Sequence, residues 1–172
     1  MKFEELLIHR TSIRSYKNKP VSEELIEKIV EATIYAPSAG NLQAYKIYVV
    51  ENKDILADLQ KAAPQQEYLS QSGLVFVFCA LPEESAKNYG ERGSKLYALQ
   101  DATIATTYCQ LAVTNLGLAS VWIGAFNDGQ AIKALNLPAN EIPIAILPIG
   151  YASEIPYPTS RKPIEKTVVR LK

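Results

Sequence analysis

One uninterrupted apolar run constrains the fold of this 172-residue chain more than any other stretch. Residues 74–81 read LVFVFCAL and are rich in branched and aromatic side chains, which favour strands. A strand with one face in water alternates apolar and polar side chains, whereas this run is apolar throughout. We therefore predict a central strand over residues 73–81 that is buried on both faces.

The remaining patterns predict the elements around this strand. Their order along the chain indicates a sheet with helices on both of its faces. Pro143 and Pro148 indicate that the strand containing them is short or lies at a sheet edge. Ser22 and Asp128 are the expected N-caps of two helices, and Gly117 is the expected C-terminal cap of a third. The predicted helices cover residues 1–10, 23–36, 53–63, 95–116 and 128–137, and the predicted strands cover residues 45–50, 73–81, 118–126, 142–150 and 167–171.

Two segments fall outside this regular pattern. Residues 83–94 are charged, hold two glycines and are expected to be exposed, in a place where a segment can act as a lid over a site. Residues 154–163 are rich in proline and are expected to lie extended over the surface.

Charge and length limit the classes of function. Eighteen basic residues balance eighteen acidic ones, so no net field attracts nucleic acid or an anionic membrane. Lys2, Glu4 and Glu5 interrupt any apolar run at the start, and we expect a cytoplasmic protein. Residues 102–127 carry no charge but hold too many threonines and amides for a membrane span, which predicts a helix buried against other protein, including a second subunit. The length fits a single domain over residues 1–172.

Signatures of metal, thiol and dinucleotide sites are missing from the sequence. Cys79 and Cys109 each lie in an apolar segment, which is typical of packing residues, and His9 is the single histidine. No GxGxxG motif joins a strand to a helix, so a Rossmann dinucleotide-binding domain has no support.

The segment APSAGNLQ at residues 36–43 is the first candidate for ligand binding. Pro37 ends the preceding helix, and Gly40 permits a backbone shape that other residues resist. Ser38, Asn41 and Gln43 place hydroxyl and amide groups on a constrained turn, which suits a planar ligand with polar edges. The same residues are also ordinary in a connection between a helix and a strand.

The cluster HRTSIRSY at residues 9–16 is the second candidate. Arg10, Thr11, Ser12 and Arg14 offer two guanidinium groups and two hydroxyls, a donor set that suits phosphate oxygens. Solvated basic turns have the same composition.

Asp101 and Gly124 each allow two interpretations. Asp101 is either a charge at a helix start or a ligand-facing acid, with neither favoured. Gly124 lies in the apolar run GLASVWIGAF, where glycine permits either the close approach of a ligand or a bulge.

Taken together and in this order, HRTSIRSY, APSAGNLQ, GLASVWIGAF and LPIGYASE followed by PTSRKPIE resemble the nitroreductase family over residues 10–165. The resemblance implies an α+β fold, a nitroreductase-like three-layer α/β/α sandwich whose central, mostly antiparallel sheet is flanked by helices. It also implies FMN as the cofactor and a homodimer with two active sites at the subunit interface.

The same resemblance assigns the first cluster to the cofactor. Arg10, Thr11 and Ser12 match the phosphate-binding run of the family, with Thr11 in place of its usual second arginine. Arg14 matches a basic residue near the pyrimidine end of the isoalloxazine, where a positive charge stabilises the reduced flavin.

The other matched positions lie on three later segments. In the family, residues that match APSAGNLQ usually reach the flavin that is bound mainly by the other subunit. Ala44 and Tyr45 stand where the family has a proline and a tryptophan after this segment. Asp101 completes the cofactor-binding candidates. The matched positions are Pro37, Ser38, Asn41 and Gln43 in the second segment, Ile123 and Gly124 where the backbone approaches flavin N5, and Arg161 and Lys162 at the phosphate.

The activity implied by the resemblance is an FMN-dependent oxidoreduction with ping-pong turnover. NADH or NADPH delivers hydride and leaves, and a nitroaromatic, a quinone or a related small acceptor then takes the electrons. The flavin carries this chemistry, so no protein side chain is expected as a general acid or base. The alternatives are a protein that binds or stores FMN without fast turnover, and a specialised relative that removes halogens or modifies flavin.

Overall fold

A computed structural model of the chain describes residues 1–64, 66–157 and 159–171. Helices and strands alternate over much of these residues, and short turns of 3₁₀ or π helix occur at Ala39–Asn41, Gly93–Tyr97 and Ile164–Lys166. The α-helices are α1 (Phe3–His9), α2 (Glu23–Ile34), α3 (Lys53–Ala62), α4 (Tyr68–Gln71), α5 (Pro82–Arg92), α6 (Ala98–Asn115) and α7 (Asp128–Leu135). The strands are β1 (Tyr45–Val50), β2 (Leu74–Ala80), β3 (Ala119–Ser120) and β4 (Ile142–Gly150).

The four strands form one antiparallel sheet in the order β1-β2-β4-β3. All seven residues of β2 are buried, which confirms the central strand predicted from the apolar run. Because successive side chains of a strand point to opposite faces, β2 contributes to two separate cores. Val75 and Val77 face one core, and Phe76 and Phe78 face the other.

Helices cover both faces of this sheet and give the three-layer α+β architecture predicted above. One core lies between the sheet and helices α3, α4 and α7, with Leu56, Leu59 and Leu69 at its centre. The other core lies between the sheet and helices α2 and α6, with Ile29 and Val113 fully buried. A small cluster of alanines at positions 44, 80, 98 and 102 lets the start of α6 approach the ends of β1 and β2 closely.

The expectation that the two prolines place β4 at an edge or make it short is wrong. β4 has nine residues and pairs with β2 along its length. Pro143 is accommodated beside a register shift at Phe78 and Cys79, where the ladder is irregular. Pro148 is accommodated because its missing N–H lies on the side of β4 where pairing with β3 is interrupted.

The predicted strand over residues 118–126 is also wrong in extent. Only Ala119 and Ser120 form a strand, and Ile123 makes a separate two-bond bridge to Ile146, with N···O distances of 2.9 and 3.0 Å. Ile146 and Pro148 present their backbone nitrogens to the same side, because the period of a strand is two. Pro148 has no hydrogen there, so the ladder breaks between the two contacts.

Helix ends follow local chemistry, with one correction. Gly117 has a φ of 75°, and the N–H groups of Gly117 and Leu118 donate to the carbonyls of Thr114 and Val113, which confirms the predicted cap of α6. The expected N-cap of α7 is wrong: Asn127, not Asp128, caps it, and Asn127 Oδ1 accepts the N–H of Gln130 at 2.9 Å.

Two other helix starts differ from expectation. Ser22 stands at the N-cap of α2 as predicted, but its side chain makes no capping hydrogen bond. The long helix α6 begins at Ala98 rather than at residue 95, because Gly93–Tyr97 form a wider π turn. No helix of the described residues is long and apolar enough to cross a membrane.

The ends of the chain and the charged segment are mostly exposed. Residues 82–92 form α5, whose charged residues face solvent, while Ser85 is buried. The predicted strand at 167–171 is wrong, since the described residues of this chain place no partner strand beside it, and a strand without a partner is unstable. Within the predicted extended tail, Pro158 lies outside the described residues.

Candidate functional site

The segment that follows α1 is hydrogen-bonded along both sides to the end of the sheet. Ser12 bridges to Ser120 of β3, and the N–H of Ile13 donates to the Ser120 carbonyl at 3.1 Å. On the other side, Tyr16 bridges to Ala152, just beyond β4. These contacts hold residues 12–16 between β3 and the chain that leaves β4.

Tyr16 anchors this segment from within. Its hydroxyl lies 2.8 Å from the Ile13 carbonyl and 3.2 Å from the Pro148 carbonyl. Burial, and then the nearby Tyr68, raises the pKa of the Tyr16 phenol far above its ordinary value, so it remains a donor at any physiological pH. The backbone that carries Ser12 and Arg14 is thereby held on a rigid base.

A cleft of about 310 Å³ lies beside this segment, and we call it the basic cleft. Arg10 and Arg14 line it from one side and Arg161 lines it from the tail, 147 positions later than Arg14. Arg161 Nη1 donates to the Thr159 hydroxyl at 3.0 Å within the tail. The full lining is Arg10, Thr11, Ser12, Arg14, Glu154, Ile155, Pro156, Tyr157, Thr159 and Arg161.

Glu154 is an acid in this basic environment. Its carboxylate accepts the backbone N–H of Arg14. That contact, together with the hydrogen bond from the Ser153 N–H to the Ser15 carbonyl at 3.0 Å, joins the tail to the first segment. The acid thus shapes the cleft and offsets part of the charge of its three arginines.

The 36–43 segment forms a turn with an uncommon backbone, and we call it the amide loop. Gly40, Asn41 and Gln43 have φ values of 56°, 57° and 50°. Left-handed φ is ordinary for glycine and tolerated by asparagine, but it costs a glutamine about 1 kcal/mol or more. Such conformations persist only where surrounding contacts stabilise them.

Hydrogen bonds within the amide loop use part of its polar groups. Ser38 Oγ accepts the N–H of Gln43 at 2.9 Å and keeps its own hydrogen for another partner. The side-chain amide of Gln43 donates to the Asn41 carbonyl at 3.3 Å. Asn41 is exposed to solvent. Ser38 and Gln43 therefore build the turn, and the Asn41 side chain is open to a ligand.

A second cleft of about 590 Å³ separates the amide loop from the start of α6, and we call it the loop pocket. Pro37, Ser38 and Ala39 form one wall. Asp101, 2% exposed, lies in the other wall, and its Oδ1 accepts the N–H of Ala39 at 2.9 Å. The remaining lining residues are Tyr97, Leu99, Gln100, Thr103 and Ile104.

Helix α5, which covers most of the segment expected to act as a lid, approaches the amide loop through Tyr89. Tyr89 of α5 lies with its hydroxyl 2.4 Å from the point where a Cβ on Gly40 would stand. The Tyr89 ring packs edge to face on Tyr97, with centroids 5.2 Å apart, and Tyr97 lines the loop pocket. Gly90 follows with a φ of 55° and bends the chain at that point.

The structure brings the sequence-predicted residues together in two groups rather than one. Four of the first cluster and Arg161 line the basic cleft, whereas Pro37, Ser38 and Asp101 line the loop pocket. The other predicted residues line neither cleft: Asn41, Gln43, Gly124 and Lys162 are exposed, and Ile123 is buried in its bridge to β4.

Sequence reasoning missed several lining residues. Glu154 and Thr159 of the basic cleft lie inside motifs quoted above, but their side chains carry no pattern that marks them as functional. Tyr97 lines the loop pocket, and Tyr89 packs on Tyr97 without lining the pocket. The two tyrosines lie eight positions apart, with the kink at Gly90 between them, so no helical spacing marks them as a pair.

Comparison with known proteins identifies the family. The sequence profile of the Nitroreductase family matches residues 7–68 and 63–151. A protein of Archaeoglobus fulgidus, provisionally named an NADH dehydrogenase/NAD(P)H nitroreductase, is 32% identical over 153 residues, covering 87% of this chain and 84% of that protein. The FMN reductase [NAD(P)H] of Bacillus subtilis is 31% identical over 159 residues, covering 85% of this chain and 64% of that protein.

Solved structures agree. The crystal structure of a nitroreductase family protein from Clostridium difficile has a TM-score of 0.81 and 35% sequence identity, covering 99% of this chain and 95% of that one. The shared fold covers 99% of this chain, and the family profile matches most of it. The chain belongs to the nitroreductase family and is an oxidoreductase.

Proposed function

We propose that the protein is an FMN-dependent oxidoreductase that takes its electrons from NADH or NADPH. The observation that carries the proposal is the convergence of Arg10, Arg14 and Arg161, from opposite ends of the chain, on one cleft. The guanidinium groups of Arg10 and Arg161, with the hydroxyls of Thr11 and Ser12, fit the dianionic phosphate of FMN, because arginine pairs with phosphate oxygens in a bidentate manner. The names of the Archaeoglobus and Bacillus relatives support the nicotinamide donor and the flavin.

The protein residues hold and orient the cofactor. Arg10, Ser12 and Arg161 bind the phosphate, with Lys162 nearby in sequence. Arg14 lies near the pyrimidine edge, and Ile123 and Gly124 approach the ring near N5, as the family resemblance implies. When bound, FMN supplies the hydride chemistry. Its acceptor is a nitroaromatic, a quinone or another small molecule.

We further propose that the active site needs two copies of the chain. The amide loop lies in a different cleft from the basic cleft of the same chain, so a neighbouring copy supplies the loop to each flavin. The uncharged outer face of α6 and exposed apolar residues on α1 and in the tail support such an interface. They include Phe3, Leu7 and Ile8 on α1, Tyr108 on α6, and Ile155, Ile164, Val169 and Leu171 in the tail.

Anaerobic reduction tests the activity directly. The purified protein, loaded with FMN and freed of excess cofactor, is mixed with NADH or NADPH in the absence of oxygen. Rapid loss of the oxidised flavin absorbance with either donor is expected, followed by its return when a quinone or nitroaromatic is added. A protein that gains no flavin absorbance contradicts the cofactor, and a bound flavin that stays oxidised identifies a storage protein instead.

A further inference from the structure

Asp101 is a buried acid with an unusual partner. It lies in the first turn of α6 and is 2% exposed, and a carboxylate removed from water requires hydrogen-bond donors. Its Oδ1 accepts the backbone N–H of Ala39, 62 positions earlier in the chain, at 2.9 Å. The acid therefore reaches out of its own helix to the amide loop.

This hydrogen bond holds the amide loop at the start of its strained portion. Ala39 directly precedes Gly40 and Asn41, both in the left-handed region, and Gln43 follows with a φ of 50°. The bonds from Gln43 to Ser38 and Asn41 lie inside the loop, so they shape the turn but do not fix its position on the protein. The bond from Ala39 to Asp101 does fix it, because α6 is packed against the sheet through the alanine cluster.

The second carboxylate oxygen does not face the ligand space. Asp101 Oδ2 is buried and has no hydrogen-bond partner among the described residues, and the hydroxyl of Tyr45 is in the same state. Tyr45 begins β1, just beyond the loop, and burial, and then the charge of Asp101, raises the pKa of its phenol. A ligand in the loop pocket cannot touch Oδ2 without a rearrangement.

We propose that Asp101 is a positioning residue, which holds the amide loop through the N–H of Ala39 in the shape that meets the flavin and does not itself contact the cofactor. The part of this proposal that concerns flavin rests on the proposed function. The part that concerns the loop stands on the hydrogen bond and the burial alone.

Two substitutions at position 101 separate positioning from direct contact. Asp101→Asn keeps an oxygen that can accept the Ala39 N–H but removes the charge, whereas Asp101→Ala removes the acceptor. Asp54→Ala is the matched control, an exposed acid in the first turn of α3. Ala39→Pro removes the same N–H from the other side, and Ser38, with φ −140° and ψ 160°, already has the backbone that precedes proline.

Two readouts are measured at a temperature where every variant is folded by circular dichroism. The first is hydrogen exchange of the peptide that covers residues 36–43, in protein without cofactor. The second is the dissociation constant of FMN, from quenching of its fluorescence. Asp101→Ala and Ala39→Pro are expected to speed exchange and to weaken FMN binding by about tenfold or more, because each removes a hydrogen bond with a charged acceptor. Asp101→Asn and Asp54→Ala are expected to stay close to the wild type in both.

Three results overturn the proposal. Unchanged exchange in Asp101→Ala and Ala39→Pro means that the bond does not hold the loop. An Asp101→Asn protein as impaired as Asp101→Ala means that the charge acts directly. Faster exchange with unchanged FMN affinity means that the loop does not need this shape. A wild type that binds no FMN contradicts the proposed function, while the exchange result still decides whether Asp101 holds the loop.

Discussion

The assignment of the basic cleft to phosphate depends most on Arg161. This residue comes from the tail, whereas the motif that first suggested the phosphate site is HRTSIRSY at residues 9–16. Replacing it with alanine removes a charge-assisted hydrogen bond, worth about 1.5–3 kcal/mol. We expect FMN affinity to fall by about 10- to 100-fold, measured by fluorescence quenching. Lys53→Ala, which removes an exposed charge from α3, is the control and should leave the affinity unchanged.

Arg10→Ala gives an independent measure of the same cleft. Both arginines line it, so both substitutions should weaken FMN binding, and the loss in each should shrink at high salt. Unchanged affinity in both variants would place the phosphate elsewhere.

Gly40 is constrained twice, once by its backbone and once by a neighbour. Its φ is 56°, and an added Cβ would lie 2.4 Å from the Tyr89 hydroxyl. Gly40→Ala is therefore expected to cost about 1–2 kcal/mol for the backbone and about 0.5–1.5 kcal/mol more as Tyr89 leaves the edge of Tyr97. Urea unfolding measures the total.

Matched variants separate the two costs of Gly40→Ala. Gly117 has a φ of 75° and no atom near its added Cβ, so Gly117→Ala reports the backbone cost alone. In a Tyr89→Phe background the nearest ring atom is 3.4 Å away, and Gly40→Ala should then cost no more than Gly117→Ala. If Gly40→Ala lowers the free energy of unfolding equally with and without the Tyr89 hydroxyl, the clash between the added Cβ and that hydroxyl is contradicted.

At this scale the sequence predicted the constrained turn at residues 36–43 better than it predicted what the residues of that turn touch. Pro37 and Gly40 marked a constrained turn because their backbone limits are local. The left-handed φ of Gln43 and the bond from Ala39 to Asp101 could not be predicted, because both depend on contacts far away in the chain. The sequence allows two roles for Asp101 for the same reason.

Among the elements, the π turn that follows α5 contributes Tyr97 to the wall of the loop pocket. Gly93 is buried at their junction, and an added Cβ would lie 2.4 Å from the Ser85 carbonyl oxygen, a backbone atom that cannot move aside. Gly93→Ala is expected to destabilise the protein by about 1–3 kcal/mol, measured by urea unfolding, because α5 must shift. The shift also moves Tyr97 in the pocket wall.

The control for Gly93→Ala lies on another helix. Gly129, in the first turn of α7, has its nearest atom at 3.5 Å from an added Cβ, so alanine fits and improves helix propensity. Gly129→Ala should leave stability unchanged or raise it by up to about 1 kcal/mol. Equal stability of the Gly93 and Gly129 variants would contradict the tight junction.

The elements themselves were predictable to the extent that their signals are local. The apolar run of β2 and the C-terminal cap of α6 needed only sequence neighbours. The prolines of β4 led to a wrong prediction of its place in the sheet. A proline is excluded from a strand interior only where the neighbouring strand needs the missing N–H donor, and β3 ends before it reaches Pro148. The β-rich end at 167–171 misled because a strand also needs a partner.

For the whole molecule, the two cysteines report on the two faces of the sheet. Cys79 is buried in the core beside α3 and α7, and Cys109 in the core beside α2 and α6. Burial raises the pKa of each thiol to about 12, so neither reacts with a disulfide reagent in the native protein at pH 8. If residues 1–172 form one cooperative domain, both thiols should become reactive at the same urea concentration.

The same thiols predict how stability depends on pH. The native thiols keep their protons up to about pH 12, whereas those of the unfolded chain ionise near their ordinary value of 9.0. Their contribution to stability is complete below pH 9 and is lost as the pH rises from 9 toward 12, so the free energy of unfolding should fall over this range.

For the urea experiment, reaction of Cys79 at a lower urea concentration than Cys109 would show that the two layers unfold separately.

A site that spans two copies of the chain makes a prediction that no single chain can satisfy. One variant, Arg10→Ala/Arg161→Ala, lacks a working basic cleft, and the other, Ser38→Ala/Asn41→Ala, lacks a working amide loop. Each alone should bind FMN weakly. Unfolded together and refolded, they should form mixed dimers in which the intact cleft of one chain meets the intact loop of the other, if the site spans two copies.

Random pairing makes about half of the dimers mixed, each with one intact site out of two, so about a quarter of the wild-type sites should return with wild-type affinity. If each site were contained within one chain, a mixed dimer would hold only damaged sites and no tight binding would return. The number of tight FMN sites after refolding, compared with each variant refolded alone, therefore decides whether the amide loop completes the site of its own chain or that of its neighbour.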